Sequence, residues 1–124
     1  MDNSAKPTAS ASRLQSFNYA AKGLIRVLRY EPNVKIQLLI TVAVIAAGFI
    51  FGITRFEWAL IAICARLVIM AEVFNTAIET LVDFISPEMN EIAGTIKDIS
   101  AGAVLLASVI SLITGILIFL PYLF

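Results

Sequence analysis

The chain has 124 residues, of which 60% are hydrophobic and only 15% are charged. A typical globular domain in water is about 45–50% apolar and about 25% charged, and a small fold leaves much of its surface exposed. The composition therefore excludes an ordinary water-soluble globule. It also excludes a disordered chain, because disordered chains are polar and rich in charge. An integral membrane protein remains, with room for three or four spans of about 20 residues each.

Nine basic residues balance nine acidic residues, so the net charge is zero and no nucleic-acid-binding surface is indicated. Six of the nine basic residues precede the first long apolar stretch, and this positive-inside bias predicts a cytoplasmic N-terminus. The chain has no histidine, which excludes a histidine base or a histidine metal ligand. The one cysteine, Cys64, lies in an apolar stretch, where we expect a small buried residue.

The N-terminal quarter of the chain has two parts. Residues 1–12 are polar and are predicted to form a disordered tail. A helix is predicted over residues 13–30, because apolar side chains recur there every three or four residues with basic residues between them. This pattern is typical of an amphipathic helix on the membrane surface, although it also fits the first part of a longer bundle helix. Pro32 disfavours helix at the residue before it and predicts a break.

Three transmembrane helices are predicted after this break, over residues 34–53, 58–85 and 95–120. Small residues recur along the third helix, which favours close helix packing in a bilayer. Residues 86–97 are predicted to be a polar connection, and Pro121 is predicted to end the third helix. The predicted fold is an all-α, multi-pass membrane protein in which residues 13–124 form one domain.

The second predicted span differs from the others, because its second half carries three acidic side chains and an amide: Glu72, Asn75, Glu79 and Asp83. On a helix these positions fall within an arc of about 80° and form one acidic stripe. Charges inside a span are costly, and they mark functional sites by default. Carboxylates that lie together can divide their roles, one acting as a base and another binding a divalent cation such as Mg²⁺.

Other charged side chains are expected at the same membrane depth. Glu31 just precedes the first span, and Lys97 and Asp98 stand at the start of the third. Carboxylates, an amide and a lysine together suit a site for a metal-bound nucleotide. Simpler interpretations stay open: Glu31 as an interfacial charge, Glu72 as a structural partner of Arg66, and Asn75 as an interhelical hydrogen bond. The remaining charged residues could be solvated charges at helix ends: Glu79, Asp83, Lys97 and Asp98. No P-loop or protein-kinase motif is present.

Two other functions compete with a membrane kinase on these residues. A small transporter subunit could use Glu72 as a proton or substrate carboxylate, although such proteins usually need four spans and a charge at the midplane. A non-catalytic accessory protein would not need carboxylates and a lysine that converge at one depth. The position of the acids near one cytoplasmic end favours the kinase.

Two segments carry a resemblance to a known family. AEVFNTAIETLVDF (Ala71–Phe84), followed by KDISAGAVLLAS (Lys97–Ser108), resembles the prokaryotic diacylglycerol kinase family, which includes undecaprenol kinases. The segments SFNYAAKGL (Ser16–Leu24) and Glu31–Pro32–Asn33 fit this family as well. The similarity extends from about Ser16 to the C-terminus.

The resemblance implies a bacterial inner-membrane lipid kinase that uses ATP and Mg²⁺ to phosphorylate the hydroxyl of a membrane lipid. It implies a homotrimer with active sites between neighbouring subunits, on the cytoplasmic side. Diacylglycerol is the substrate that gives the family its name, and the product would be phosphatidic acid. Undecaprenol is the alternative, because SAGAVLLAS and GILIFLP look nearer to the undecaprenol kinase branch.

The resemblance also implies roles for the three carboxylates of the site. Glu72 matches the general base that takes the proton from the lipid alcohol. Glu31 and Glu79 match the carboxylates that bind the metal.

Five further residues are expected to contact the nucleotide or the substrate. Asn75, Lys97 and Asp98 match polar residues of the nucleotide and phosphate region. Arg13 and Lys22 are candidate contacts to substrate or phosphate.

The chain departs from the family pattern at two places. Arg66 stands where an apolar residue or glycine is expected, about 9 Å of helix rise deeper than Glu72 and outside the acidic stripe. It must extend to the interface, pair with another helix or destabilise the span. Met89–Asn90 replaces a Tyr–His pair, so the family's loop contacts to nucleotide are not carried over.

Overall fold

The computed structural model describes residues 9–124, which form four α-helices. They are α1 (Ala9–Tyr30), α2 (Pro32–Phe51), α3 (Arg55–Ile85) and α4 (Glu91–Leu123). No β-strand occurs within residues 9–124, so the all-α prediction is confirmed. Helices α2, α3 and α4 are each long and apolar enough to cross a membrane.

The chain divides into two compact units, one ending at Glu31 and the other formed by Pro32–Phe124. The tail predicted over residues 1–12 falls largely on residues 1–8, which lie outside the described residues. Residues 9–12 belong to α1, so this part of the prediction is wrong. Alanine and serine cost little in a helix, and the Ser16 hydroxyl donates a hydrogen bond to the Ser12 carbonyl at 2.9 Å in the first turns.

Helix α1 presents both apolar and basic side chains at its surface. Leu14, Phe17 and Ile25 are each more than half exposed. Lys22, Arg26 and Arg29 belong to the same helix and are exposed as well. This mixture is typical of a helix that lies in the interface between lipid and water.

Local sequence signals set the turn between α2 and α3. Gly52 has φ +63°, a left-handed conformation that glycine adopts without strain. Thr54 then caps α3: the Glu57 N–H donates to Thr54 Oγ1 at 3.3 Å, and the Thr54 N–H donates to Glu57 Oε2 at 2.7 Å. This capping box starts α3 at Arg55, three residues before the predicted start at residue 58.

Helix α4 is longer than predicted at both ends. The Asn90 side chain accepts a hydrogen bond from the Ala93 N–H at 2.8 Å, so the helix begins at Glu91 and not near residue 95. At the other end the helix passes through Pro121 and ends at Leu123, which corrects the predicted stop. Proline is tolerated in membrane helices, because neighbouring groups and local adjustment of the helix can satisfy the backbone carbonyl that it frees.

Helices α3 and α4 pack closely against each other, and α2 packs against α3. The apolar core lies at one end of this unit, where Ile53, Ile61 and Ile118 are buried. Phe51, Trp58, Phe119 and Tyr122 surround them. Most other large apolar side chains are exposed, as expected for helices that face lipid.

Candidate active site

The acidic stripe of α3 is buried at one end and exposed at the other. Glu72 is 2% exposed and Asn75 is 7% exposed. Glu79 is half-buried, and Asp83 is exposed. Because a buried carboxylate needs partners to offset its lost hydration, the hydrogen bonds of Glu72 determine what this group can do.

The partner of Glu72 comes from another helix. Asn33, in the first turn of α2, donates a hydrogen bond from Nδ2 to Glu72 Oε1 at 3.0 Å. No role for Asn33 is predicted from the sequence. Two signals in the sequence pointed to it: its place in the Glu31–Pro32–Asn33 segment that resembles the family, and its position directly after Pro32 at the start of a helix.

Asn75 and Glu79 form a second pair one helical turn further along α3. Asn75 Nδ2 donates to Glu79 Oε1 at 3.2 Å. Asn75 Oδ1 is buried and has no hydrogen-bond partner within residues 9–124, and neither does the Thr76 hydroxyl. An unpartnered amide oxygen beside a carboxylate offers the hard oxygen donors that Mg²⁺ prefers. Within the described residues, no group of three acidic, histidine or cysteine side chains gathers as a metal site.

We name Asn33, Glu72, Asn75 and Glu79 the acidic cluster. Lys97 reaches the same face of α3 from α4, and its ammonium forms an ion pair with the Asp83 carboxylate. Both side chains are partly exposed, so the pair contributes little stability and opens at little cost. Asp98 is exposed and forms no ion pair with the residues that the structure describes.

Three further predicted site residues belong to the N-terminal unit. Arg13 and Lys22 are exposed on α1. The Lys22 ammonium lies 5.9 Å from the centroid of the Tyr19 ring. Glu31 follows the last residue of α1, and its N–H donates to the Val27 carbonyl at 3.0 Å.

An apolar groove of about 550 Å³ lies between α2, α3 and α4. Its walls include apolar side chains of all three helices: Val44, Ile61, Val68, Leu112, Ile116 and Phe119. On α3 the groove reaches Val68, one helical turn from Glu72. The buried carboxylate and an apolar space within the spans are therefore close along the same helix.

Arg66 stands apart from the acidic cluster. Its side chain is exposed, and it forms no ion pair with a carboxylate within residues 9–124. The sequence left open that Arg66 pairs with a carboxylate of another helix, and no such pair occurs within residues 9–124.

The fold and the site define an α-helical membrane protein with one buried carboxylate, Glu72, in an acidic cluster at one end of its spans. Residues 18–119 match the prokaryotic diacylglycerol kinase family, and the chain belongs to this family. The resemblance seen in the sequence is thereby confirmed.

Three relatives illustrate the range of similarity. The chain is 38% identical to the undecaprenol kinase of Bacillus subtilis (strain 168) over 107 residues, which cover 86% of this chain and 87% of that protein. It is 36% identical to the diacylglycerol kinase of Synechocystis sp. over 109 residues, covering 87% of this chain and 62% of that protein. It is 32% identical to the diacylglycerol kinase of Escherichia coli (strain K12) over 104 residues, covering 82% and 83%.

Proposed function

We propose that this protein is a membrane lipid kinase, which transfers the γ-phosphate of ATP to the hydroxyl of a lipid alcohol. The observation that carries the proposal is the Glu72 carboxylate, which is buried on a membrane helix in a chain of this kinase family. A carboxylate placed there can take the proton of a hydroxyl that enters from the lipid. In this reaction protein groups mainly position the reactants and stabilise charge, and this needs no soluble nucleotide-binding fold.

Glu72 is the general base in this proposal. Its Oε1 accepts the Asn33 hydrogen bond, and its Oε2 has no partner within the described residues. Oε2 is therefore the oxygen available to the lipid hydroxyl. The groove that reaches Val68 supports the approach of an apolar lipid chain to this point.

Glu79 and the Asn75 amide oxygen are the proposed protein ligands for Mg²⁺ at the acidic cluster, with Glu31 as a further carboxylate. The unpartnered Asn75 Oδ1 supports this assignment. Mg²⁺ is usually held by one or two carboxylates together with substrate phosphates, so a set of three acidic residues is not required. When bound with ATP, the metal neutralises phosphate charge.

Lys97 and Asp98 are the proposed nucleotide and phosphate contacts, and Arg13 and Lys22 are the proposed contacts to substrate or phosphate. The partly exposed ion pair with Asp83 supports the role of Lys97, because its ammonium can exchange a carboxylate for a phosphate at little cost.

Two lipid alcohols are candidate substrates. Diacylglycerol is the substrate in the name of the family and of two of the relatives described above. Undecaprenol is favoured by the 38% identity to the B. subtilis undecaprenol kinase, which extends over 86% of this chain. Both lipids offer a hydroxyl at the interface and apolar chains in the bilayer.

The active enzyme is proposed to be a homotrimer in the bacterial inner membrane, with sites between subunits on the cytoplasmic side. The basic residues before the first span support this orientation. Mixing inactive Glu72→Gln subunits with inactive Lys97→Ala subunits tests whether Glu72 of one subunit acts together with Lys97 of its neighbour. Activity regained in mixed trimers supports it, and a mixture that stays inactive contradicts it.

The decisive test of the function incubates the full chain, in lipid vesicles, with labelled ATP, Mg²⁺ and either diacylglycerol or undecaprenol. We expect label in one of the two lipids and none when EDTA removes the metal. The lipid with the higher kcat/KM is the substrate. No label in either lipid overturns the proposed function.

A further inference from the structure

The contact between Asn33 and Glu72 joins two helices and two parts of the sequence that are 39 residues apart. Asn33 lies in the first turn of α2, where Pro32 occupies the first helical position. That position fixes the backbone of the turn, because proline has a nearly constant φ angle. The amide therefore extends toward α3 from a rigid element.

The chemistry of the two groups makes the contact directional. An ionised carboxylate only accepts hydrogen bonds, so the asparagine must present its NH₂ group. Such a charge-assisted bond is stronger than one between neutral groups, and it fixes the orientation of a carboxylate that could otherwise rotate. Because Oε1 is engaged at 3.0 Å, the other oxygen is left in a defined place.

The surroundings of Asn33 argue against a packing role. Asn33 is exposed within its own subunit, so its side chain fills no core space. The adjacent Val34, by contrast, is completely buried and supplies the packing of this turn. What Asn33 contributes to the subunit is the hydrogen bond.

We propose that Asn33 is a positioning residue, which holds Glu72 Oε1 and thereby directs Oε2 at the lipid hydroxyl. The inference rests on the proposed function. In the reaction the hydroxyl proton moves to Oε2, and the hydroxyl oxygen bonds to the γ-phosphorus. The bond between the γ-phosphorus and the bridging oxygen of ATP breaks, and ADP leaves with its electrons. Asn33 contacts none of the reacting atoms and acts only through Glu72.

The test compares three variants of the full-length enzyme. Asn33→Ala removes the donor, Asn33→Asp keeps the shape but replaces the donor with an acceptor, and Asn33→Gln keeps the amide on a longer stem. We expect kcat to fall about 10- to 100-fold in Asn33→Ala, as for a misplaced catalytic group. The KM for ATP should change less than about two-fold, because Asn33 does not contribute to the binding of ATP in the ground state.

The order of the variants separates positioning from structure. Positioning predicts that Asn33→Gln retains more activity than Asn33→Ala, and that Asn33→Asp retains no more than Asn33→Ala. A structural role predicts that the isosteric Asn33→Asp variant stays close to the unsubstituted protein. Thr80→Ala is the matched control, because within residues 9–124 the exposed Thr80 hydroxyl bonds only to the Thr76 carbonyl of its own helix. We expect it to leave kcat unchanged.

A double substitution gives an independent measurement. In the Glu72→Gln background, Asn33→Ala should lower the residual rate by less than about two-fold, because residues that act as a unit are not additive. Full Asn33→Ala or Asn33→Asp activity would overturn the inference while leaving the kinase function intact. An unsubstituted protein that phosphorylates neither lipid would instead overturn the function itself.

Discussion

The two ends of the three-helix unit Pro32–Phe124 differ in whether their polar groups have hydrogen-bond partners. One end holds the acidic cluster, where Asn75 Oδ1 is buried without a partner in the described chain. The other end holds what we name the aromatic cluster: Gly48, Phe51, Trp58, Phe119 and Tyr122. There the polar groups are matched, because Glu57 Oε2 accepts hydrogen bonds from the Thr54 N–H and the Tyr122 hydroxyl, both at 2.7 Å.

Aromatic packing completes the second end. The rings of Phe49 and Trp58 lie 4.9 Å apart between centroids, and those of Phe51 and Phe119 lie 6.0 Å apart. These separations are typical of favourable aromatic pairs. The three helices therefore share their buried apolar contacts at the aromatic cluster. The polar end can therefore keep unpartnered groups for ligands without loss of the fold.

The largest effect expected from this contrast is on catalysis. Glu72→Gln should lower kcat by about 10²- to 10⁴-fold, the range associated with a lost general base. The melting temperature should stay the same or rise, because a buried charge is removed. Lipid kinase assays and thermal unfolding in detergent measure the two quantities. Glu88→Gln, at an exposed loop carboxylate, is the control, and near-normal turnover of Glu72→Gln would remove Glu72 as the base.

Arg66 lies on α3 between the two ends, and it belongs to neither cluster. Arg66→Leu should stabilise the protein by about 2–3 kcal/mol, because an exposed arginine within a span carries a cost of that order. Thermal unfolding in lipid vesicles measures the change. Arg55→Leu is the control, since Arg55 starts α3 at the helix end and should matter less. A lower stability of Arg66→Leu would mean that Arg66 has a partner in the assembled enzyme.

Gly48→Ala tests the packing of the aromatic cluster. A Cβ atom at Gly48 would lie 2.6 Å from Trp58 Cη2 and 2.8 Å from Trp58 Cζ2, so the indole must move. We expect a destabilisation of about 1–3 kcal/mol, with kcat per folded enzyme unchanged. Gly102→Ala is the control, because a Cβ there meets no atom within 4 Å. Equal melting temperatures for the two variants would show that the aromatic cluster does not hold the helices together.

The smallest effect is expected at the hydrogen bond between α3 and α4. Tyr122→Phe removes the donor to Glu57 but keeps the ring, so the melting temperature should fall by less than in Gly48→Ala. Kinase activity should not change. Tyr30→Phe, at an exposed tyrosine of α1, is the comparison variant, and it should melt like the unsubstituted protein. If Tyr122→Phe instead lost activity, the two ends would be coupled.

Part of the site could be predicted because it lies on one helix. The angular position of Glu72, Asn75 and Glu79 follows from helix geometry, because a step of about 100° per residue places them on one face. The Thr54–Glu57 capping box is also readable in the sequence as Thr-x-x-Glu. Regular local geometry makes such features predictable.

Contacts between helices could not be predicted in this way. Asn33 is 39 residues from Glu72, and Tyr122 is 65 residues from Glu57, so neither pair has a fixed spacing that a pattern can reveal. The ion pair of Lys97 with Asp83 likewise depends on how α4 packs against α3. Each contact depends on the rotation and register of two helices, which the sequence pattern of either helix leaves open.

Composition and periodicity alone determined that this is a helical membrane protein with an acidic stripe on its second span, because the bilayer demands apolar helices and a helix repeats regularly. The motifs alone indicated its family. Only the tertiary structure showed that Asn33 binds one oxygen of Glu72 and that Lys97 pairs with Asp83. It also showed that the Trp58 ring leaves no room for a side chain at Gly48. These depend on side chains from different helices that meet within a few ångströms, where packing fixes the outcome.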